Sequence, residues 1–158
     1  MKHKFDGKLL QVIKAVKQKS LLDCHRLFNW GNEYVAFGVH HKPNKSASTK
    51  LVTDGEFYLV FKDDETGEIK GYVATIYNVI VKDRRPEQFN KMAKRYSVIY
   101  YDHRQYNTIF LVENVQLVNE QTLMYLLNER TYFNDEAKQF NLHRLFKQRT
   151  NQVYLMKK

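Results

Sequence analysis

Residues 51–83, LVTDGEFYLVFKDDETGEIKGYVATIYNVIVKD, carry the pattern of a long β-hairpin. The runs at 57–61 and 69–81 are rich in aromatic and β-branched residues, which favour a pleated and packed surface. Between them, residues 63–68 are polar and include Gly67, which adopts a positive φ without steric cost. We therefore predict two antiparallel strands joined by a solvated tip, with the rest of the chain arranged around them.

The hairpin tip also holds four carboxylates within residues 63–68, a composition that can bind a metal ion. An EF-hand loop, however, needs oxygen ligands at alternate positions over about 12 residues and a bidentate Glu at its end. The tip does not have that spacing. The sequence therefore favours a solvated turn and predicts neither a metal site nor a cofactor.

The second strand of the hairpin is predicted to be central in its sheet, because both of its faces are mostly apolar. Gly71 within it indicates a β-bulge or a close backbone approach. The two predicted faces are Tyr72, Ala74, Ile76, Asn78 and Ile80 on one side, and Val73, Thr75, Tyr77, Val79 and Val81 on the other.

The chain of 158 residues has the size of one domain, with a hydrophobic content of 43% that is ordinary for a globular protein. The order of predicted elements indicates a single α+β domain over 1–158, with helices at about 6–29, a sheet region at about 33–118 and helices at about 119–149. We expect a mostly antiparallel mixed sheet or a partly open small barrel, with the helices packed on one side.

The N-terminal segment is predicted to contain two helices, at 6–19 and 21–29. The lysines of the first, among them Lys14, lie largely off its apolar stripe and would face solvent or a phosphate backbone. The second places Cys24 beside His25, and adjacent residues on a helix point in different directions. This arrangement favours a buried thiol and a surface imidazole over a nucleophile pair.

The C-terminal segment is predicted to be mostly helical. Asn119 is a suitable N-cap for a helix at 119–130. Residues 135–148 are acidic at their start and basic at their end, as a helix dipole prefers, and we predict a second helix there. Residues 152–156 are predicted to return as an edge strand.

The net charge of +9 is unevenly distributed, with +7 in residues 1–50, −3 in 51–90 and +5 in 91–158. A basic excess of this size favours a polyanionic partner, chiefly nucleic acid, although it can also serve solubility alone. The single cysteine cannot form an internal disulfide, and no apolar run has the length of a membrane span. We therefore expect a cytoplasmic protein without membrane contact. The abundance of Lys, Asn, Tyr and Phe is typical of a low-GC bacterium, its phage or a mobile element.

Residues 83–95 hold the densest basic cluster of the sequence. Pro86 can open a short helix that turns Phe89, Met92 and Ala93 inward. Because the arginine guanidinium binds phosphate well, this segment is the first candidate for an anionic-ligand surface. Its predicted nucleic-acid contacts are Arg84, Arg85, Lys91, Lys94 and Arg95.

The loop at 40–50 is a second candidate contact and follows a predicted strand at 33–39. It presents Lys42, Lys45 and Lys50 with hydroxyl and amide groups and no acid. Phosphate-binding loops have this composition, and so do plain mobile surface loops.

A second hairpin is predicted from residues 96–101 and 108–113. Tyr100, Tyr101 and Tyr106 lie in or beside it, next to the basic residues. Exposed tyrosines in such a position can stack on bases, as they do on single-strand-binding platforms. They are equally typical of an ordinary strand, because tyrosine favours any sheet.

These patterns support three functional hypotheses. The first is a nucleic-acid-binding protein without catalysis of its own, with single-stranded nucleic acid or RNA favoured over duplex DNA. The second is an interaction or inhibitor protein whose basic surface docks on a host nucleic-acid enzyme. The third is a metal-independent endoribonuclease that uses His103 with His40 or His41, and Arg104 to stabilise developing charge.

Overall fold

The structure, a computed structural model, describes residues 9–14, 34–39, 55–63, 65–95, 98–100, 107–150 and 152–156. These segments form an α+β fold, with one open sheet of nine strands and three helices alongside it. The strands are β1 Leu9–Lys14, β2 Tyr34–Val39, β3 Glu56–Lys62, β4 Ile69–Val81, β5 Val98–Tyr100, β6 Thr108–Val118, β7 Thr131–Tyr132, β8 Asp135–Gln139 and β9 Gln152–Met156. The helices are α1 Pro86–Arg95, α2 Glu120–Leu127 and α3 Leu142–Leu145.

The strand order is β5-β2-β6-β4-β3-β1-β9-β7-β8. Neighbouring strands are antiparallel except for the parallel pairs β1–β3 and β2–β5. The predicted fold class, a single α+β domain with a mostly antiparallel mixed sheet, is therefore confirmed. Among the described residues, no helix is long and apolar enough to cross a membrane.

The predicted central hairpin is β3–β4, in register from Glu56↔Thr75 to Lys62↔Ile69. Its tip is a tight turn in which Gly67 has a φ of 72° and donates its N–H to the carbonyl of Asp63, at 2.8 Å. The Asp63 carboxylate accepts the N–H of Glu65 at 2.9 Å and contacts Lys70 Nζ at 3.0 Å. The Lys70 hydrogen bond, followed by the backbone N–H groups, lowers the pKa of Asp63. This carboxylate is thus engaged in shaping the turn.

Two β-bulges bend the sheet where β4 meets β6. Between Val73 and Thr75, β6 has one residue more than β4, and Asn114 in that stretch has a φ of 55°. Between Ile76 and Asn78, β4 has the extra residue. Bulges increase local twist and curvature, and the second one exchanges the two faces of β4 beyond Ile76.

The predicted single face from Tyr72 to Ile80 is consequently wrong in its second half. Tyr72 and Ile76 pack in one apolar cluster, which Val79 also joins, whereas Ile80 packs in a cluster on the opposite face. At Gly71 the structure shows the predicted close approach to the backbone, because a Cβ there would lie 3.0 Å from Leu123 Cδ2 of α2.

The sheet curls around its concave face. The ring centroid of Phe57 in β3 lies 5.2 Å from that of Phe37 in β2 and 5.7 Å from that of Phe110 in β6. In a flat sheet, β2 and β3 would stand three strand spacings apart, about 14 Å. The curvature therefore produces a partly barrel-like core, while β5 and β8 remain as the two ends of the strand order.

All three helices lie on the convex face, as predicted. On β6, Ile109 and Leu111 face α1 and alternate with residues of the concave core. On β3, Tyr58 and Val60 alternate in the same way and pack with α2 and α3. The two apolar clusters of the convex face thus occupy different parts of one surface.

The predicted helix at 6–19 is wrong over its described part, since residues 9–14 form β1. This strand lies between β3 and β9 and buries Leu10 and Val12 on the convex face and Ile13 on the concave face. A strand buried on both faces reads as a nearly continuous apolar run, which over six residues resembles a helical stripe. Lys14 is also not on a solvent face, because its side chain is only 4% exposed.

The predicted second hairpin is wrong because β2 lies between its two strands. Phe37 of β2 pairs with Phe110 of β6 on one edge and with Ile99 of β5, in parallel, on the other. Since β2 is buried on both faces, with Ala36 on one and Phe37 on the other, a position inside the sheet satisfies both edges of its backbone.

The C-terminal predictions are confirmed in part. Asn119 caps α2 by accepting the N–H of Thr122 at 2.9 Å. The predicted helix at 135–148 is wrong: its first residues form β8, all of them exposed, and only the four-residue α3 is helical. Residues 152–156 form a strand as expected, but β9 lies between β1 and β7 and is not at an edge. The predicted helix at 21–29 lies outside the described residues.

Candidate nucleic-acid interface

Helix α1 follows directly from its sequence. Pro86 occupies the first helical position, where its missing N–H costs nothing, and Glu87 lies in the first turn while Lys94 and Arg95 lie in the last. The preceding turn is fixed by the carbonyl of Val81, which accepts the backbone N–H groups of residues 84 and 85 at 3.1 and 3.0 Å. The end of β4 therefore determines where the helix begins.

The inner side of α1 is apolar and rests on the sheet. Phe89 is buried against a cluster formed by β2, β4 and β6, and Met92 and Ala93 pack at its border. These three positions have the i, i+3, i+4 spacing of one helical face, and the prediction that they point inward is confirmed. Lys82 extends this contact, with Nζ 5.9 Å from the centroid of the Phe89 ring.

The outer side of α1 and its preceding turn form what we call the basic surface: Arg84, Arg85, Lys91, Lys94 and Arg95, all exposed. Residues 84–95 contain these five cations and a single acid, Glu87. Lys91, Lys94 and Arg95 are exposed because Phe89 fixes the opposite side of the helix against the sheet. The structure therefore presents all five predicted contacts of this segment to solvent.

An aromatic pair lies beside this helix on the same convex face. The rings of Tyr34 in β2 and Tyr77 in β4 are 4.8 Å apart between centroids, with an interplanar angle of 43°. Tyr34 packs against the same apolar cluster as Met92 and Ala93 of α1. Tyr77 is 44% exposed, although it belongs to a central strand. At the second bulge, Tyr77 is the extra residue of β4, which has no partner position in β6.

The remaining predicted contacts lie mostly outside the described residues. These are Lys42, Lys45, Lys50, Tyr101 and Tyr106, together with the residues of the ribonuclease hypothesis, His40, His41, His103 and Arg104. Tyr100 ends β5 at an edge of the sheet, and nothing is described of its side chain. The Tyr34–Tyr77 pair was missed by sequence reasoning, because alternation along β4 does not reveal a bulge.

Glu120 and the one described histidine, His143, serve structural contacts. Glu120 accepts the N–H of Ile69 with one carboxylate oxygen at 2.9 Å, and its other oxygen lies 3.6 Å from His143 Nε2. Among the residues that the structure describes, no group of three or more His, Cys, Asp or Glu could hold a metal ion. The basic surface is thus the arrangement in the described structure whose chemistry points most directly to a ligand.

Comparison of the chain with protein-family models, with curated proteins and with solved structures finds no match. The residues of the basic surface and their surroundings are therefore the basis on which a function can be argued.

Proposed function

We propose that this protein binds nucleic acid through the basic surface and has no catalytic activity of its own. The observation that carries the proposal is the concentration of five exposed cations, with one acid among them, on a helix and turn anchored to the sheet. Lys and Arg at such a surface neutralise phosphates and release counterions from the nucleic acid.

The helix dipole alone does not account for these charges. Lys94 and Arg95 lie at the C-terminal end of α1, where cations stabilise a helix. Arg85, by contrast, immediately precedes its N-terminal end, where the dipole disfavours cations. Its presence is better explained by an anionic ligand, for which arginine offers a planar pair of donors.

The test compares two variants that lose the same charge at different places. One replaces Arg85, Lys91 and Lys94 with Ala, and the other replaces Arg149, Lys138 and Lys147, which are exposed near the other end of the sheet. Each removes two Lys and one Arg. We expect the first variant to bind labelled single-stranded RNA, single-stranded DNA and duplex DNA at least tenfold more weakly, and the second to bind almost as the unmodified protein does.

Salt dependence and strand integrity complete the test. Loss of three phosphate contacts lowers the slope of log K against log salt by about 2 on single strands. Equal weakening in both variants would show that only net charge matters, and would overturn the assignment to α1. No binding at low salt would overturn the proposal and favour a protein partner for the basic surface. Strands shortened on a denaturing gel would show that the protein cleaves nucleic acid.

A further inference from the structure

We propose that Tyr77, supported by Tyr34, is a base-stacking site, and that the nucleic acid bound beside α1 is therefore single-stranded. This inference rests on the proposed function and specifies its ligand. The observation behind it differs from the one behind the proposed function, since it is the geometry of two aromatic rings and not a concentration of charge.

The position of Tyr77 calls for an explanation. Its strand, β4, is hydrogen-bonded on both edges, and Tyr72, Ala74 and Ile76 in the same strand are buried. Tyr77 nevertheless has 44% of its surface exposed. The bulge adds this one residue to β4 relative to β6, and bulges commonly reorient a side chain where a sheet has a functional surface.

Tyr34 holds the Tyr77 ring from one side. The two centroids are 4.8 Å apart and the rings are inclined by 43°, within the range of favourable aromatic pairs. Tyr34 is half-buried and packs on the cluster that also anchors α1. The pair and α1 therefore pack on one apolar cluster, and the exposed part of Tyr77 is available to a flat ligand.

A single strand can use both features together. Its bases can leave their stack and lie on an aromatic ring while its phosphates follow Lys and Arg side chains nearby. In a duplex the bases are stacked inside, so a tyrosine on a sheet face cannot reach their planes. Glu113, paired with Tyr34 in the sheet, places a carboxylate next to this site. That charge favours a base over a phosphate at the tyrosine pair.

The experiment uses Tyr77→Ala, Tyr77→Phe and, as a matched control, Tyr125→Ala. Tyr125 is 87% exposed but lies on α2, beside the other apolar cluster of the convex face. Binding is measured with single-stranded RNA, single-stranded DNA and duplex DNA of one sequence. We expect Tyr77→Ala to weaken single-strand binding roughly tenfold, with the salt slope unchanged and duplex binding unaffected. Tyr77→Phe and Tyr125→Ala should bind as the unmodified protein does.

Photocrosslinking tests for direct contact, because a tyrosine with a purely structural role would not crosslink to a base. Strands containing 5-bromouracil should crosslink to the peptide that contains Tyr77, and the crosslink should be lost with Tyr77→Ala. A loss that is equal on duplex and single strands, or equal for Ala and Phe, would overturn the stacking site. If the α1 charge variant loses binding while Tyr77→Ala does not, the stacking inference fails and the proposed function stands. Comparison of the RNA and DNA strands identifies which of the two is preferred.

Discussion

The two apolar clusters on the convex face hold their helices by different interactions. At the α2–α3 end, polar anchors supplement a large buried cluster: Lys14 Nζ donates to the carbonyl of Leu145 at 2.8 Å, and the N–H of Ile69 donates to Glu120 at 2.9 Å. At the α1 end, the cluster is smaller, and Phe89 is the buried residue of the helix.

This difference separates stability from surface chemistry. At the α2–α3 end, Lys14 donates to two backbone carbonyls, and Glu120 accepts a backbone N–H and contacts His143. The cations of α1 are exposed, and Phe89, Met92 and Ala93 pack the helix on the sheet. A surface built in this way can change its charge with little effect on folding, because exposed charges contribute little to stability.

The largest effect should come from removing one buried phenylalanine at each end. Phe89→Ala and Phe140→Ala should each lower the free energy of unfolding by about 3 kcal/mol, because both rings are almost fully buried. Only Phe89→Ala should also weaken nucleic-acid binding, since it removes the anchor of the basic surface. Urea denaturation and binding titrations on both variants test this. Equal losses of affinity in the folded proteins would erase the proposed distinction between the two ends.

The next effect concerns Lys14, whose ammonium group donates to the carbonyls of Leu145 and Gln148, at 2.8 and 2.6 Å. Lys14→Met should lower the free energy of unfolding by about 2 kcal/mol, because both carbonyls lose a charged donor. Nucleic-acid binding should remain, in contrast to Phe89→Ala. Binding that falls together with stability would show that the α2–α3 end is not independent of the ligand surface.

Lys14 should also give a pH signature. Burial, and secondarily the charge of Lys62, lowers the pKa of Lys14 below its ordinary value of 10.5. The unfolded chain therefore holds this proton more tightly than the folded protein does. The contribution of Lys14 to the free energy of unfolding consequently rises with pH between the lowered pKa and 10.5. The difference in stability between the unmodified protein and Lys14→Met should widen from pH 7 to pH 10. A difference that narrows would contradict the direction of the shift.

The smallest effect at neutral pH is expected from Tyr58→Phe. Tyr58 is buried and donates its hydroxyl to Glu56 at 2.8 Å, so its loss should cost about 1 kcal/mol at pH 7. Burial, followed by the charge of Glu56, raises the pKa of Tyr58 above 10. The stability it contributes is present below pH 10 and falls above it, by up to about 1.4 kcal/mol per pH unit. Urea denaturation between pH 9 and 11 should show a shallower decline in the variant, and parallel declines would refute this assignment.

The elements predicted well from sequence are those specified by neighbouring residues. The turn around Asp63 and Gly67 and the cap at Asn119 depend on groups a few positions apart. The start of α1 at Pro86 and its inward Phe89 depend on local sterics and helical spacing in the same way. For the candidate site, this was enough to identify the helix, its preceding turn and the five cations of the basic surface.

The elements predicted wrongly needed information from distant parts of the chain. Residues 9–14 are compatible with a helix until β3 and β9 supply backbone partners on both sides, as in the pair Leu10↔Leu155. Residues 135–139 carry the charges of a helix but pair with β7 instead. In both segments the hydrogen bonds to another strand outweighed local preference, which is a weak constraint on a short stretch.

The sequence by itself determined the hairpin, the capped and amphipathic helices and the positive charge, because local sterics, hydrogen bonds and composition suffice for them. Tertiary structure alone decided the strand order, the curvature around Phe57 and the exposure of Tyr77 next to Tyr34. These features arise from bulges and from pairing between strands far apart in the chain. A one-residue shift in register exchanges the faces of a strand, and no local pattern reveals where that shift occurs.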